Sequence, residues 1–255
     1  WYAVDDNGKF LSRRGILRRP KGWGKSPFLG ALCLAELCGP VRFSHWDDAG
    51  KPVGKRHPLP VVVVAGVSET QTDNTLSAIR AMCEDSDLVD SMGLDVGMTR
   101  ILLPGGGKLI PITASASTQE GARPSFAVMD EPHHWTASNG GHKLAAVIKR
   151  NLAKSRDGSA RVIETTNAHE PDQDSIAERS YLAYLAIKEG RSKGKGILYD
   201  CREAPPISME EMADEVILRL ALKAAYCDST WIDIDRLVEE IYDPDTTPED
   251  SRRFY

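Results

Sequence analysis

No stretch of this sequence is apolar enough, for long enough, to span a bilayer as a helix. No segment before the first predicted strand reads as a signal peptide, although the chain opens on Trp1-Tyr2 and residues are expected upstream. Paired cysteines are missing as well. Cys33, Cys38, Cys83, Cys201 and Cys227 show neither zinc nor disulfide spacing, which reads as reduced core thiols of a cytosolic protein. No two histidines have metal-site spacing; His133 and His134 stand apart only because they follow a pair of carboxylates. Basic charge is not in excess either. A net charge of −5 excludes a basic coat over the whole surface but not a local basic channel. Internal repeats and low-complexity tracts are absent.

What is present lies in two stretches about a hundred residues apart. The first is Arg18-Arg19-Pro20-Lys21-Gly22-Trp23-Gly24-Lys25-Ser26. It leads into Phe28, Leu29, Leu32, Cys33 and Leu37, which recur at helical spacing until Gly39-Pro40 stops the helix. A triphosphate packs several negative charges into a small volume. A helix N-terminus with free N–H groups, one lysine and one hydroxyl on magnesium is a chemical answer to that problem. In that reading Gly24 lets the backbone come close, Lys25 is expected to reach the β- and γ-phosphates and Ser26 to ligate the metal; a chance Gly-Lys-Ser in a surface loop is the plain alternative. The usual first glycine of such a turn is here Arg19, and a weak strand, Gly15-Ile16-Leu17, precedes it. The expected nucleotide-binding set is Arg19, Pro20, Lys21, Gly22, Trp23, Gly24, Lys25 and Ser26.

The second stretch is a buried strand, Phe126-Ala127-Val128-Met129, that ends on Asp130-Glu131. Ligands of open α/β sheets bind beyond the carboxyl ends of the strands. Asp130 is therefore expected to hold magnesium and Glu131 to polarise the attacking water, with a solvated acidic turn after a strand as the plain alternative. Taken in order, the two stretches describe a protein that binds and hydrolyses a nucleoside triphosphate. A third strand, Ala160 to Asn167, exits on Thr165, Thr166 and Asn167, which either sense the γ-phosphate and couple its loss to movement, or simply form a polar turn.

Between these landmarks strands and helices alternate. A valine-rich strand covers Leu59 to Val67, a helix Thr72 to Cys83 with Asp73 near its cap, and a β-hairpin Ile101 to Thr113. Helices follow at Leu144 to Leu152 and Ser175 to Lys188, and a strand at Gly194 to Asp200. This pattern predicts an α/β domain with a mainly parallel sheet flanked by helices. From Pro205-Pro206 the character becomes helical, with Met209 to Tyr226 and Ile232 to Tyr242. We expect a domain at 1–206 and a small helical linker or lid at 207–255. The basic turn Gly190 to Gly196 is either a solvated loop or a DNA-backbone contact.

These residues resemble the large terminase subunit of tailed bacteriophages. The likeness rests on Pro20 to Ser26, which looks like that family's deviant phosphate turn with Lys21 in place of the usual arginine. It rests also on Ser68-Glu69-Thr70-Gln71 after the valine strand, Thr113 to Ser117, Gly121 to Phe126, the Asp130-Glu131 box, Glu164 to Ala168, and Asp245 to Tyr255. The resemblance implies a P-loop NTPase of the additional-strand, catalytic-glutamate type, using ATP and Mg2+. It implies catalytic roles for Lys21 and Lys25 beside Glu131, with Arg123 as an arginine that reaches a neighbour's γ-phosphate; a surface arginine on the sheet edge is the plain alternative. Implied partners are double-stranded DNA, a portal protein, a small terminase subunit and further copies in a ring, expected to be a pentamer on the prohead, with no membrane. The isolated chain is expected to be monomeric and a weak ATPase, working in the host cytoplasm rather than in the virion. An acidic nuclease cluster is not reached, so no nuclease activity is expected. Two other functions fit parts of the pattern. Asp130-Glu131-Pro132-His133 suits a helicase box, which duplex unwinding would reveal, and a docking module without hydrolysis would show no turnover on an assembled ring.

Overall fold

The computed structural model describes residues 1–114, 123–155, 157–227 and 229–255. Among these, eight strands form one sheet in the order β10-β1-β9-β8-β4-β7-β6-β5. The strands are β1 (Arg14–Arg18), β4 (Val61–Gly66), β5 (Asp95–Val96), β6 (Ile101–Leu103), β7 (Gly107–Thr113), β8 (Phe126–Asp130), β9 (Arg161–Thr166) and β10 (Ile197–Cys201). The six from β10 to β7 run parallel, and β6 and β5 complete one edge antiparallel. A separate hairpin, β2 (Arg42–Trp46) with β3 (Pro52–Lys55), escaped the periodicity. Its signal is the Asp47 turn, where the carboxylate accepts from the N–H groups of Ala49 and Lys51.

The central strands are buried on both faces, and their residues alternate between two cores. Val62, Val64, Phe126, Val128 and Ile163 face α1 (Lys25–Cys38), α2 (Glu69–Glu84) and α3 (Leu88–Met92). Val63, Ala65, Ala127, Met129 and Val162 face α4 (Gly141–Leu152) and α5 (Ile176–Lys188). β-branched runs suit such two-sided burial. The expected α/β architecture, a mostly parallel sheet between helices, is what the chain adopts. Strand β9 lies between β1 and β8, the additional-strand arrangement.

A third apolar cluster joins Met212, Leu218, Leu222, Ala225, Tyr226, Val238 and Ile241. These lie on α6 (Met209–Met212), α7 (Glu215–Tyr226) and α8 (Ile234–Tyr242), and α9 (Pro248–Phe254) follows. Two helix boundaries differ from the sequence reading. Helix α2 starts at Glu69, because Ser68 caps it by accepting from Gln71 N–H; Asp73 lies inside. The single helix expected over Met209 to Tyr226 is divided, because the Asp214 carboxylate accepts from Val216 N–H and starts a new helix. Cys33, Cys38 and Cys83 are buried thiols as expected, but Cys227 is exposed. Among the described residues no helix is long and apolar enough to cross a membrane.

Candidate active site

The parallel strands bring three chain exits to one edge. Arg18 at the end of β1 pairs with Thr166 on β9, and Thr165 pairs with Asp130 at the end of β8. The Gly-Lys-Ser turn leaves β1 at this edge and enters α1. Gly24 stands at φ +96°, a left-handed conformation open to glycine at little cost, and Gly22 at +80°. Gly24 offers α1 no side-chain cap, whereas Ser68 and Ser175 close α2 and α5. The first N–H groups of α1 therefore face outward with the positive end of the helix dipole, beside Lys25 and Ser26.

Lys25 is the second element. Its ammonium donates to the carbonyls of Arg19 (3.2 Å) and Pro20 (3.0 Å) and to the Asn167 side-chain oxygen. Among the described residues it has no carboxylate ion pair. Burial pushes its pKa down to about 8, against the pull of Glu131 and Asp130. A cation held by neutral oxygens retains its charge for an incoming anion.

Asp130 is the third. It is 4% exposed, and its two carboxylate oxygens accept from Thr75 Oγ1 at 2.8 Å and Thr165 Oγ1 at 3.0 Å. Burial lifts its pKa above the usual carboxylate range. Each oxygen keeps a second lone pair, so the group can still bind a cation. Among the described residues no three His, Cys, Asp or Glu side chains gather into a metal cage. A magnesium ion that shares its shell with phosphates and water needs fewer protein donors than such a cage.

Glu131 follows at φ +49°, where a side chain costs about 1–2 kcal/mol. Its N–H donates to Thr165 carbonyl at 2.9 Å and its carbonyl accepts from His134 N–H at 3.0 Å, which holds the strained residue at the strand exit. Behind it, His133 Nδ1 lies 3.1 Å from Thr166 Oγ1. The exit of β9 is thus wired to both halves of the site, Thr165 to Asp130 and Asn167 to Lys25.

Other expected residues sit differently. Arg19 is buried, paired with Asp200 at 2.9 Å and lying over the Trp23 ring. Trp23 packs edge-on against Phe28 and Trp231. Lys21 is exposed; its N–H donates to Phe254 carbonyl at 2.6 Å and its carbonyl accepts from Tyr226 hydroxyl at 2.6 Å. Arg123 is exposed just before β8, roughly 20 Å along the chain from Asp130 and at the other edge of the sheet. Gly121 and Ala122, and Ser115 to Ser117, lie outside the described residues. The sequence reading missed Thr75, though a threonine on the buried face of α2, in line with Thr72, Leu76 and Ile79, was its signal. It also missed Tyr226 and Phe254, which no local pattern links to the turn.

Comparison with known proteins bears on the whole chain. No family model matches it. The Gene 13 protein of Mycobacterium phage D29 is 41% identical over 270 residues, spanning 99% of this chain and 45% of that protein. The Gene 13 protein of Mycobacterium phage L5 is 40% identical over 272 residues, again 99% and 45%. The chain thus spans less than half the length of these curated relatives. Among solved structures, the HK97 bacteriophage large terminase matches 95% of this chain and 46% of its own, with TM-score 0.65 and 18% identity. This chain has the fold of the matched part of that phage large terminase. At that identity the likeness speaks for the fold, and the chemistry rests on the residues above.

Proposed function

We propose that this chain is the ATPase motor of a phage DNA-packaging terminase, coupling ATP hydrolysis to movement of double-stranded DNA into a prohead. The observation that carries the reading is the convergence of Lys25 on neutral oxygens, hydroxyl-held Asp130 and strained Glu131 at one sheet edge, beside the uncapped start of α1.

In this reading the N–H groups of α1 and its turn hold the phosphates, and Lys25 neutralises the β- and γ-oxygens. Ser26 and Asp130 hold magnesium, which when bound screens the phosphate charge. Glu131 orients the attacking water. Phosphoryl transfer needs mostly such positioning. Loss of the γ-phosphate shifts Lys25 and Asp130, and their bonds to Asn167 and Thr165 carry the shift into β9. Residues 1–206 serve as the ATPase domain and 207–255 as a helical linker or lid, supported by the separate apolar cluster of its helices. Arg123 completes a neighbour's site in a ring, and Lys21 assists the phosphates. The partners are double-stranded DNA, the portal protein, the small terminase subunit and further copies of the chain. In isolation the chain is monomeric, and it acts in the host cytoplasm.

The decisive experiment measures Mg-dependent ATP binding by the chain and turnover on portal-bearing proheads. Binding that disappears in Lys25→Ala, and turnover stimulated by proheads, support the motor. Unchanged ATP affinity in Lys25→Ala overturns it.

A further inference from the structure

Helix α9 ends on the phosphate turn. Phe254 carbonyl accepts from Lys21 N–H at 2.6 Å, and the Lys21 ammonium lies 5.9 and 5.8 Å from the ring centres of Phe254 and Tyr255. The preceding residue, Arg253, shares a cavity wall with Arg18 at the end of β1 and Ala168 just past β9. With Pro20 and Ala168 it lines a cavity of about 420 Å³. Its carboxylate partner among the described residues is Glu170, just past β9, at a long 3.5 Å and half exposed. Arg253 Nε is buried without a hydrogen-bond partner. Its charge also reaches the residues that follow Glu131. It helps to lower the pKa of His133 and His134, after burial, which is the larger cause in both.

We propose that Arg253, carried by α9, is a ligand of the terminal phosphate within its own subunit. The proposal rests on the nucleotide reading of the Lys25 site. A guanidinium fork fits two phosphate oxygens, and Arg253, held by the long Glu170 pair and by the Phe254 ring 5.0 Å below it, can turn toward them by giving up the weaker of its contacts. Two neighbouring arginines that line the same cavity are otherwise engaged. Arg19 is held by Asp200 and Trp23, and Arg18 pairs with Glu203. Arg123 is at the opposite sheet edge and can serve only another subunit. Because α9 belongs to the helical segment, Arg253 ties occupation of the terminal phosphate site to the position of that segment.

The test titrates this chain with fluorescent mant-ATP and mant-ADP, comparing wild type, Arg253→Ala, Arg253→Lys and Glu170→Ala. Arg253→Ala is expected to weaken mant-ATP about 10- to 100-fold, the worth of a charged hydrogen bond, and mant-ADP little. Arg253→Lys recovers part of the loss. Glu170→Ala breaks the ion pair yet retains the preference for ATP. Equal losses in Arg253→Ala and Glu170→Ala mean a purely structural arginine and overturn the proposal, as does equal weakening of ATP and ADP or no change. If Arg253→Ala does not fold, the ATP-to-ADP ratio of Arg253→Lys decides: an unaltered ratio overturns it. Wild type that binds neither nucleotide removes the reading of the whole site, whereas wild type that binds ATP through Lys25 but not through Arg253 removes this inference alone.

Discussion

Two buried polar clusters sit at opposite edges of the same sheet, and they are built to different rules. At the N-terminal edge Glu36 lies fully buried between Arg161, 2.5 Å away, and Arg42, 3.0 Å away. Trp1, Tyr2 and Phe10 cage the Arg161 guanidinium, and Trp1 carbonyl accepts from it at 2.9 Å. Every charge there faces an opposite charge or a ring. At the C-terminal edge the hydrogen-bond partners of Lys25 among the described residues are neutral oxygens, and those of the Asp130 carboxylate are hydroxyls. A closed ion cluster fixes the chain, here the start of the sequence against α1 and β9. An open one holds charge that a ligand can complete. Buried charge by itself is therefore no sign of a site; what matters is whether its counter-charge comes from the protein.

The largest expected effect breaks the closed cluster. Glu36→Ala leaves two buried guanidinium groups without a carboxylate and is expected to cost about 3–5 kcal/mol in chemical denaturation. A loss below about 1 kcal/mol would mean the cluster is no anchor and would dissolve the contrast.

At the open edge, replacing Glu131 separates strain from chemistry. Glu131→Ala and Glu131→Gly should both reduce prohead-stimulated turnover about 10²- to 10⁴-fold, while ATP still binds. Glycine relaxes at φ +49° and alanine does not, so Glu131→Gly should be the more stable of the two by about 1 kcal/mol. Equal stability would show that the left-handed turn is not strained.

Lys25→Ala should behave opposite to Glu36→Ala. Stability is expected to stay within about 1 kcal/mol of wild type, since no ion pair is lost, while ATP affinity falls about 100-fold or more. Calorimetry and nucleotide titration check the two halves separately. A large loss of stability would place Lys25 in the structural class.

The smallest effect is a pH dependence. With its pKa at about 8, Lys25 is charged below that pH and loses its proton above it. ATP affinity should be flat from pH 6.5 to about 8 and then fall, by up to about tenfold per pH unit. The same titration of Lys25→Ala should show no such break. A wild-type profile flat to pH 9.5 would show that the lysine is not depressed.

Strand and helix identity were largely legible in the sequence, because apolar runs such as Val62 to Ala65 and Phe126 to Met129 bury on both faces whatever their neighbours. The order of the Gly-Lys-Ser turn and the Asp130-Glu131 pair was equally local, since each marks the end of a strand. Caps shifted two helix boundaries, because one hydrogen bond from Ser68 or Asp214 outweighs a weak periodicity. Only the tertiary structure brought Thr75 from 55 residues away onto Asp130, and Asn167 from 142 residues away onto Lys25. Only it placed Phe254 on Lys21. Those contacts are set by strand order and helix packing, in which each pairing depends on all the others. A sequence states what a segment will be from the few residues beside it; which carbonyl meets which amide across 233 residues is decided by the assembled sheet.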